Sequence, residues 1–267
     1  MRGVAVLGNL SLDRIDGGAP TPGGGPFHCA RMLRALDRPA TLLAGCAAAD
    51  KPALLPGLAR LGIPVVWQET PTTARFAIDY DGDGRRMVVE ELGGAWPPAV
   101  AQTPAIAASS WLHVAPLARS DFPPATLAAL ASRRRLSLDG QGLVRPGRTG
   151  RLELDPDYEP ELLRHVSILK LAEEEALALL GETGEQALRT LGVPEVVVTL
   201  GPRGSIVFAD GLAEHVGTRA IRDRDPTGAG DAFAVAYLVA RAAGSQPTAA
   251  ARWASGAVAG LLDGKLR

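Results

Sequence analysis

Short apolar runs recur along this chain at intervals that leave room for one or two helices between them. Residues 4–7, 40–44, 64–67, 111–115, 135–139, 166–169 and 195–199 read as buried strands. Residues 26–36, 51–61, 124–132, 159–164, 173–180 and 184–191 carry helical spacing; Ala30, Leu33 and Leu36, for example, share one face. Strand–helix–strand alternation closes through right-handed crossovers. It predicts an α/β fold with a mainly parallel, doubly wound central sheet. Two helices rich in small residues, over 228–242 and 248–262, end the pattern. A length of 267 residues suits one large domain, expected to run over 1–267.

One segment interrupts the rhythm. Residues 74–79 and 86–91 alternate like strands, and Tyr80-Asp81-Gly82-Asp83-Gly84 between them supplies positive-φ turn residues. This predicts a β-hairpin flap over 74–92. Residues 205–208 and 213–216 read as a second antiparallel hairpin.

Composition excludes several function classes. Lys+Arg is 28 and Asp+Glu 29, a net charge of −1, so nothing draws the chain to nucleic acid or anionic lipid, and neither is expected as a partner. Two cysteines without a C-x-x-C motif, and four scattered histidines, support neither a disulfide framework nor a zinc site. No apolar run approaches the roughly 18 residues of a membrane span. The opening segment meets Asp13 too early for a secretory signal, so a cytoplasmic protein is expected.

The segment richest in chemical meaning is Asp223–Phe233, DRDPTGAGDAF. Thr227-Gly228-Ala229-Gly230 precedes a long apolar helix, and glycines let backbone N–H groups approach a ligand closely. A helix start carries unpaired donors and partial positive charge, which favours an anion. Asp231 falls in the first turn. It either caps the helix or faces the same anion. Other phosphate motifs fail: Gly264-Lys265 is followed by Leu266 rather than Ser or Thr, and Phe233 stands where a dinucleotide fingerprint needs glycine. No G-x-S-x-G elbow occurs.

Five segments, in order and spanning roughly 3–262, resemble the PfkB (ribokinase-like) family of carbohydrate and nucleoside kinases. These are Gly8-Asn-Leu-Ser-Leu-Asp13, Pro22-Gly-Gly-Gly-Pro-Phe-His28, Ile168-Leu-Lys-Leu-Ala-Glu-Glu-Glu175, Thr199-Leu-Gly-Pro-Arg-Gly204 and the Thr227–Phe233 helix start. The resemblance implies Asp231 as catalytic base and Gly228, Ala229 and Gly230 as an anion hole. It implies substrate contacts from Asp13, Gly24, Gly25 and His28. It further implies Lys170, Thr199, Gly201 and Gly204 on the nucleotide side, and Glu175 positioning magnesium through water. Asp139-Gly-Gln-Gly-Leu-Val-Arg145 resembles a stretch of a subgroup that includes inositol kinases, which adds Gln141 and Arg145 as substrate residues; by itself the stretch reads equally as a polar surface turn.

The pattern is departed from in places. Ala172 stands where the family has Asn, His28 where it usually has Asn, and Pro226 precedes the TGAGD core. The family's monovalent-cation site would involve Asp225, but the chain ends soon after its last helix. Arg75 reads as a solvated edge-strand charge, Cys29 and Cys46 as buried small side chains, and Glu173 and Glu174 as a solvated helix face. The expected function is ATP- and Mg²⁺-dependent phosphorylation of a small polyol, a sugar or cyclitol. Only 4% of residues are aromatic, which disfavours stacking a nucleobase. A nucleoside kinase and a non-catalytic nucleotide- or sugar-binding protein are the alternatives. A homodimer is a further expectation of the resemblance.

Overall fold

The computed structural model describes residues 3–81, 84–219 and 227–266. The chain runs β1 (Val4–Asn9), β2 (Ser11–Ile15), β3 (Thr21–Gly23), α1 (Gly25–Ala35), β4 (Thr41–Cys46), α2 (Lys51–Ala59), β5 (Val65–Glu69), β6 (Ala74–Asp81) and β7 (Gly84–Glu91). It continues α3 (Pro104–Ala107), β8 (Trp111–Val114), α4 (Pro124–Ala131), β9 (Arg135–Asp139), α5 (Gln141–Val144), β10 (Gly150–Arg151), β11 (Ile168–Ala172), α6 (Glu173–Leu180) and α7 (Glu185–Thr190). It ends β12 (Glu195–Thr199), β13 (Ser205–Ala209), β14 (Leu212–Val216), α8 (Ala229–Ala242) and α9 (Pro247–Leu262).

The main sheet has nine strands in the order β14-β13-β12-β11-β9-β8-β1-β4-β5. From β12 to β5 every neighbour runs parallel, and β13 and β14 add the antiparallel hairpin at one edge. The fold is thus the expected doubly wound α/β fold with a mainly parallel central sheet. β1 reads VAVLGN and is buried along its whole length, because a parallel strand inside such a sheet is covered on both faces. One core layer packs α1, α8 and α9 on the sheet through Cys29, Leu33, Val235 and Leu238; the other packs its opposite face through Leu127, Leu130, Ala176 and Leu188. Ala232–Ala240 of α8 are all buried, so this helix is apolar all round and held between layers. α1 and α9 each open with proline in the first turn, where no hydrogen bond is lost. Among the described residues no helix is long and apolar enough to cross a membrane.

From β1 the chain crosses to β4 on one side and, later, to β8 on the other. Winding that reverses in this way opens a crevice at the carboxyl ends of the strands. The expected hairpin forms from β6 and β7, but it is not isolated. β2 pairs parallel with β6, β3 pairs with β2 and β10 pairs with β7, making a five-stranded second sheet. β2 reads SLDRI, too short and too polar to stand out, and it becomes a strand by pairing with β6. The Gly82-Asp83 turn residues lie outside the described residues, as do Asp225 and Pro226. The helix expected over 159–164 is a 3₁₀ segment, Pro160–His165.

Arg75 departs from its expected solvation. Its guanidinium makes two hydrogen bonds to Asp50, at 2.8 and 2.9 Å, and one to Glu91 at 3.1 Å. It stands beside a register irregularity between Arg75 and Phe76 and ties the base of the second sheet to the loop before α2.

Candidate active site

Two chambers meet at the N-terminus of α8. The larger, about 400 Å³, lies between the main sheet's carboxyl edge and the second sheet. Asp13, Gly24, Gly25, His28, Gln141, Arg145, Lys170, Glu175, Gly228, Gly230 and Asp231 all line it. The smaller, about 210 Å³, is lined by Thr199, Gly201, Gly204, Ala229 and Gly230. Gly230 belongs to both walls. Lys170, grouped with the nucleotide loop from sequence, lines the larger chamber instead.

Local conformation shapes the junction. α8 opens on Gly228 in the left-handed region, φ 76°, and no side chain caps it. Asp231 is the third helical residue rather than the cap, and its Oδ1 is buried with no hydrogen-bond partner among the described residues. No N-cap side chain occupies the leading amides of α8, and a carboxylate stands beside them. A Cβ at Gly228 would lie 2.1 Å from His28 Nδ1, so glycine is required both for its φ and for the packing of His28 behind the loop. Gly24, φ 95°, is equally constrained: a Cβ there would come 2.5 Å from the Asn9 carbonyl oxygen. That contact brings the start of α1 against the β1–β2 connection, just ahead of β2, which carries Asp13. Asp13, His28 and Arg145 are all engaged in polar contacts.

Beneath the junction lies a buried charged group. Lys170 Nζ sits 3.3 Å from Asp139 Oδ2, and the two side chains are 7% and 0% exposed. The β9–β11 register sets Lys170 directly opposite Asp139. Asp139 also accepts the Gln141 N–H at 3.2 Å, which fixes the start of α5. Burial alone would lower the Lys170 pKa, but the carboxylates of Asp139, Glu175 and Asp231 outweigh it and hold the ammonium protonated. Burial likewise raises Asp139, but Lys170 outweighs it and keeps Asp139 ionised. Asp231 is pushed up to about 7, first by burial and then by the Asp139 charge, against the pull of Lys170 and Arg145. Glu175 is also raised, first by burial. Its Oε2 accepts the Ala172 N–H at 2.7 Å, so part of this carboxylate closes the first turn of α6.

Several lining residues had escaped the sequence reading. Phe76, Ile78, Tyr80 and Met87 of the second sheet, with Leu117, roof the larger chamber. The alternation in ARFAIDYD places Phe76, Ile78 and Tyr80 on one face and would have identified three of them. The smaller chamber adds Phe233 from α8, Ser255, Val258, Ala259 and Leu262 from α9, and Thr218 and Arg219 from the chain after β14. No motif marks these; their position follows from α9 packing along α8.

Fold and site together describe an α/β protein with two chambers that meet at the glycine-rich start of α8. The description "pfkB family carbohydrate kinase" matches over residues 15–261, and the chain belongs to that family. It is 30% identical over 200 residues to a fructokinase of Salmonella typhimurium, covering 66% of this chain and 61% of that relative. It is also 30% identical over 167 residues to a fructokinase of Salmonella thompson, covering 54% and 70%. Among solved structures, it superposes on a pyrophosphate-dependent kinase in the ribokinase family complexed with a pyrophosphate analog and myo-inositol. There the TM-score is 0.84 at 22% identity, covering 97% of this chain and 95% of the other. Arabidopsis thaliana ribokinase complexed with ribose and ATP superposes with TM-score 0.75 at 21% identity, covering 98% and 93%. These two likenesses concern the fold.

Proposed function

We propose that this chain transfers the terminal phosphoryl group of ATP to a hydroxyl of a small polyol, a sugar or cyclitol. The observation that carries the proposal is the shared wall at Gly230, which puts the α8 amides where a donor from one chamber would meet an acceptor in the other. In phosphoryl transfer a protein chiefly positions the groups and neutralises charge. The amides of Ala229, Gly230 and Asp231 supply fixed dipoles that need no reorganisation as charge develops. Asp231 takes the acceptor's proton on its unpartnered oxygen. Lys170 adds a positive charge below the same point.

Asp13, His28, Gln141 and Arg145 would read acceptor hydroxyls, beneath an apolar roof suited to the C–H face of a ring. We read the second sheet, with the flap over 74–92, as the lid of this chamber. Thr199, Gly201 and Gly204 border the donor chamber, whose floor of Phe233, Val258, Ala259 and Leu262 is apolar and suits a base. Magnesium fits here only in its water-rich mode. Among the described residues no three His, Cys, Asp or Glu side chains converge on a metal position, and Ala172 contributes no ligand. Glu175, with Glu174 beside it, would hold a donor-bound ion through water; bound there, the ion would neutralise phosphate charge.

The test is a transfer assay with sugars, inositols and nucleosides as acceptors, and with ATP and pyrophosphate as donors, since relatives of the same fold carry either. Transfer from ATP to a sugar or inositol is expected. Efficient transfer to nucleosides alone, or from pyrophosphate alone, would replace the corresponding half of the proposal. Binding without transfer would favour a sensor.

A further inference from the structure

The polar end of the chamber roof touches the anion loop. Phe76, Ile78 and Tyr80 form one row on β6, and the first two are apolar and buried. Tyr80 continues the row but ends in a hydroxyl, 3.4 Å from Thr227 Oγ1. Thr227 immediately precedes Gly228, whose other side rests on His28. The loop that aims the α8 amides is therefore flanked by His28 and by Tyr80. Tyr80 is itself held in place. Asp16 lies in the left-handed region, φ 47°, a costly conformation for a residue other than glycine. Its N–H donates to the Ile78 carbonyl at 2.9 Å, and its Oδ1 accepts the Tyr80 N–H at 2.9 Å. These two bonds bracket Tyr80 on its strand, yet the residue is 45% exposed, so it contributes little to the core.

We propose that Tyr80 is a positioning residue that acts through Thr227, linking the seating of the second sheet over the acceptor to the aim of the anion-loop amides. The inference rests on the phosphoryl-transfer reading of the site. A 3.4 Å separation is long for two hydroxyls and leaves room for the bond to tighten when both chambers are filled. The link would act on phosphoryl transfer rather than on acceptor binding.

A double-mutant cycle on the full chain tests this, with Tyr80→Phe, Thr227→Val and both together. Because Tyr80→Phe removes only an exposed hydroxyl, its melting temperature should match that of the parent. Each single change should lower kcat about threefold to tenfold, the worth of one neutral hydrogen bond, with acceptor KM held within about twofold. The double variant should lose no more than Thr227→Val alone, since Thr227 also has a further interaction of its own. Asp16→Asn, which keeps an acceptor and tolerates the left-handed region, should be close to the parent, whereas Asp16→Ala should resemble Tyr80→Phe. Losses that multiply in the double variant, a change confined to acceptor KM, or an unchanged kcat would overturn the proposal. The same cycle is read calorimetrically with pyrophosphate as a minimal anion, where both single variants should weaken binding and the double variant should bind no more weakly than Thr227→Val alone. If the parent phosphorylates no acceptor, the transfer reading fails and this second cycle still decides the link; a parent that does not bind pyrophosphate overturns it.

Discussion

Asp231 is asked to be a base while buried beside another carboxylate. Its pKa near 7 follows from that crowding, with burial first and Asp139 second. A base must be unprotonated to accept the acceptor's proton, so kcat/KM should fall as pH drops below about 7, and a pH–rate profile reads this directly. The same shift has a consequence for stability. A carboxyl whose folded pKa is raised favours folding while protonated, and that stability is lost as pH rises from its unfolded value through about 7. Asp231→Asn should therefore melt at a higher temperature than the parent at pH 8, a difference that disappears near pH 4. Equal melting at pH 8 would mean that the carboxylate is not strained. Asp231 and its glycines were legible in sequence because the pattern is local and opens a helix. The Lys170–Asp139 pair was not. In sequence Lys170 is one cation inside an apolar run, and only the β9–β11 register shows what neutralises it.

At the scale of elements, the N-terminus of α8 is only as well aimed as the helix is anchored. Its far end is held by Glu195 at the start of β12, which accepts bonds from Tyr237 and, through both oxygens, from Arg241 at 2.8–3.1 Å. The Glu195 side chain is 9% exposed and the Arg241 side chain 19%. Removing one partner of such a pair leaves a charge poorly solvated. Glu195→Ala should cost roughly 3–5 kcal/mol in urea unfolding. A loss below about 1 kcal/mol would put the pair in the class of surface ion pairs and remove it as the anchor. The inner strands of the main sheet were readable because burial on both faces leaves a largely apolar run. β2 and β3 were not, since their partners rather than their composition make them strands. Arg75 illustrates the same limit: its alternation fits an edge strand, but Asp50, twenty-five residues away, decides its role.

For the molecule as a whole, the reversal of winding at β1 sets the crevice, and the second sheet covers one half of it while α9 walls the other. The division of labour predicts separable kinetics. Asp13→Ala should raise acceptor KM by roughly tenfold or more, because one charge-assisted bond is lost, while donor KM stays nearly constant. A matching rise in donor KM would mean that the chambers are not independent. The crevice was legible from the strand–helix alternation, and its larger chamber from residues that belong to recognisable segments. The apolar floor of the smaller chamber was not, because Val258, Ala259 and Leu262 lie in a helix whose small and aliphatic residues read simply as core.

The junction at α8 stands or falls on whether Asp231 takes the proton. The decisive measurement is the turnover of Asp231→Asn against the parent, with donor affinity measured alongside. Asparagine keeps the shape and can still accept a hydrogen bond, but it is a poor base. Turnover should fall by roughly 10²–10⁴ while donor affinity is little changed. Turnover close to the parent's would contradict Asp231 as the base and the chamber junction as the place of transfer.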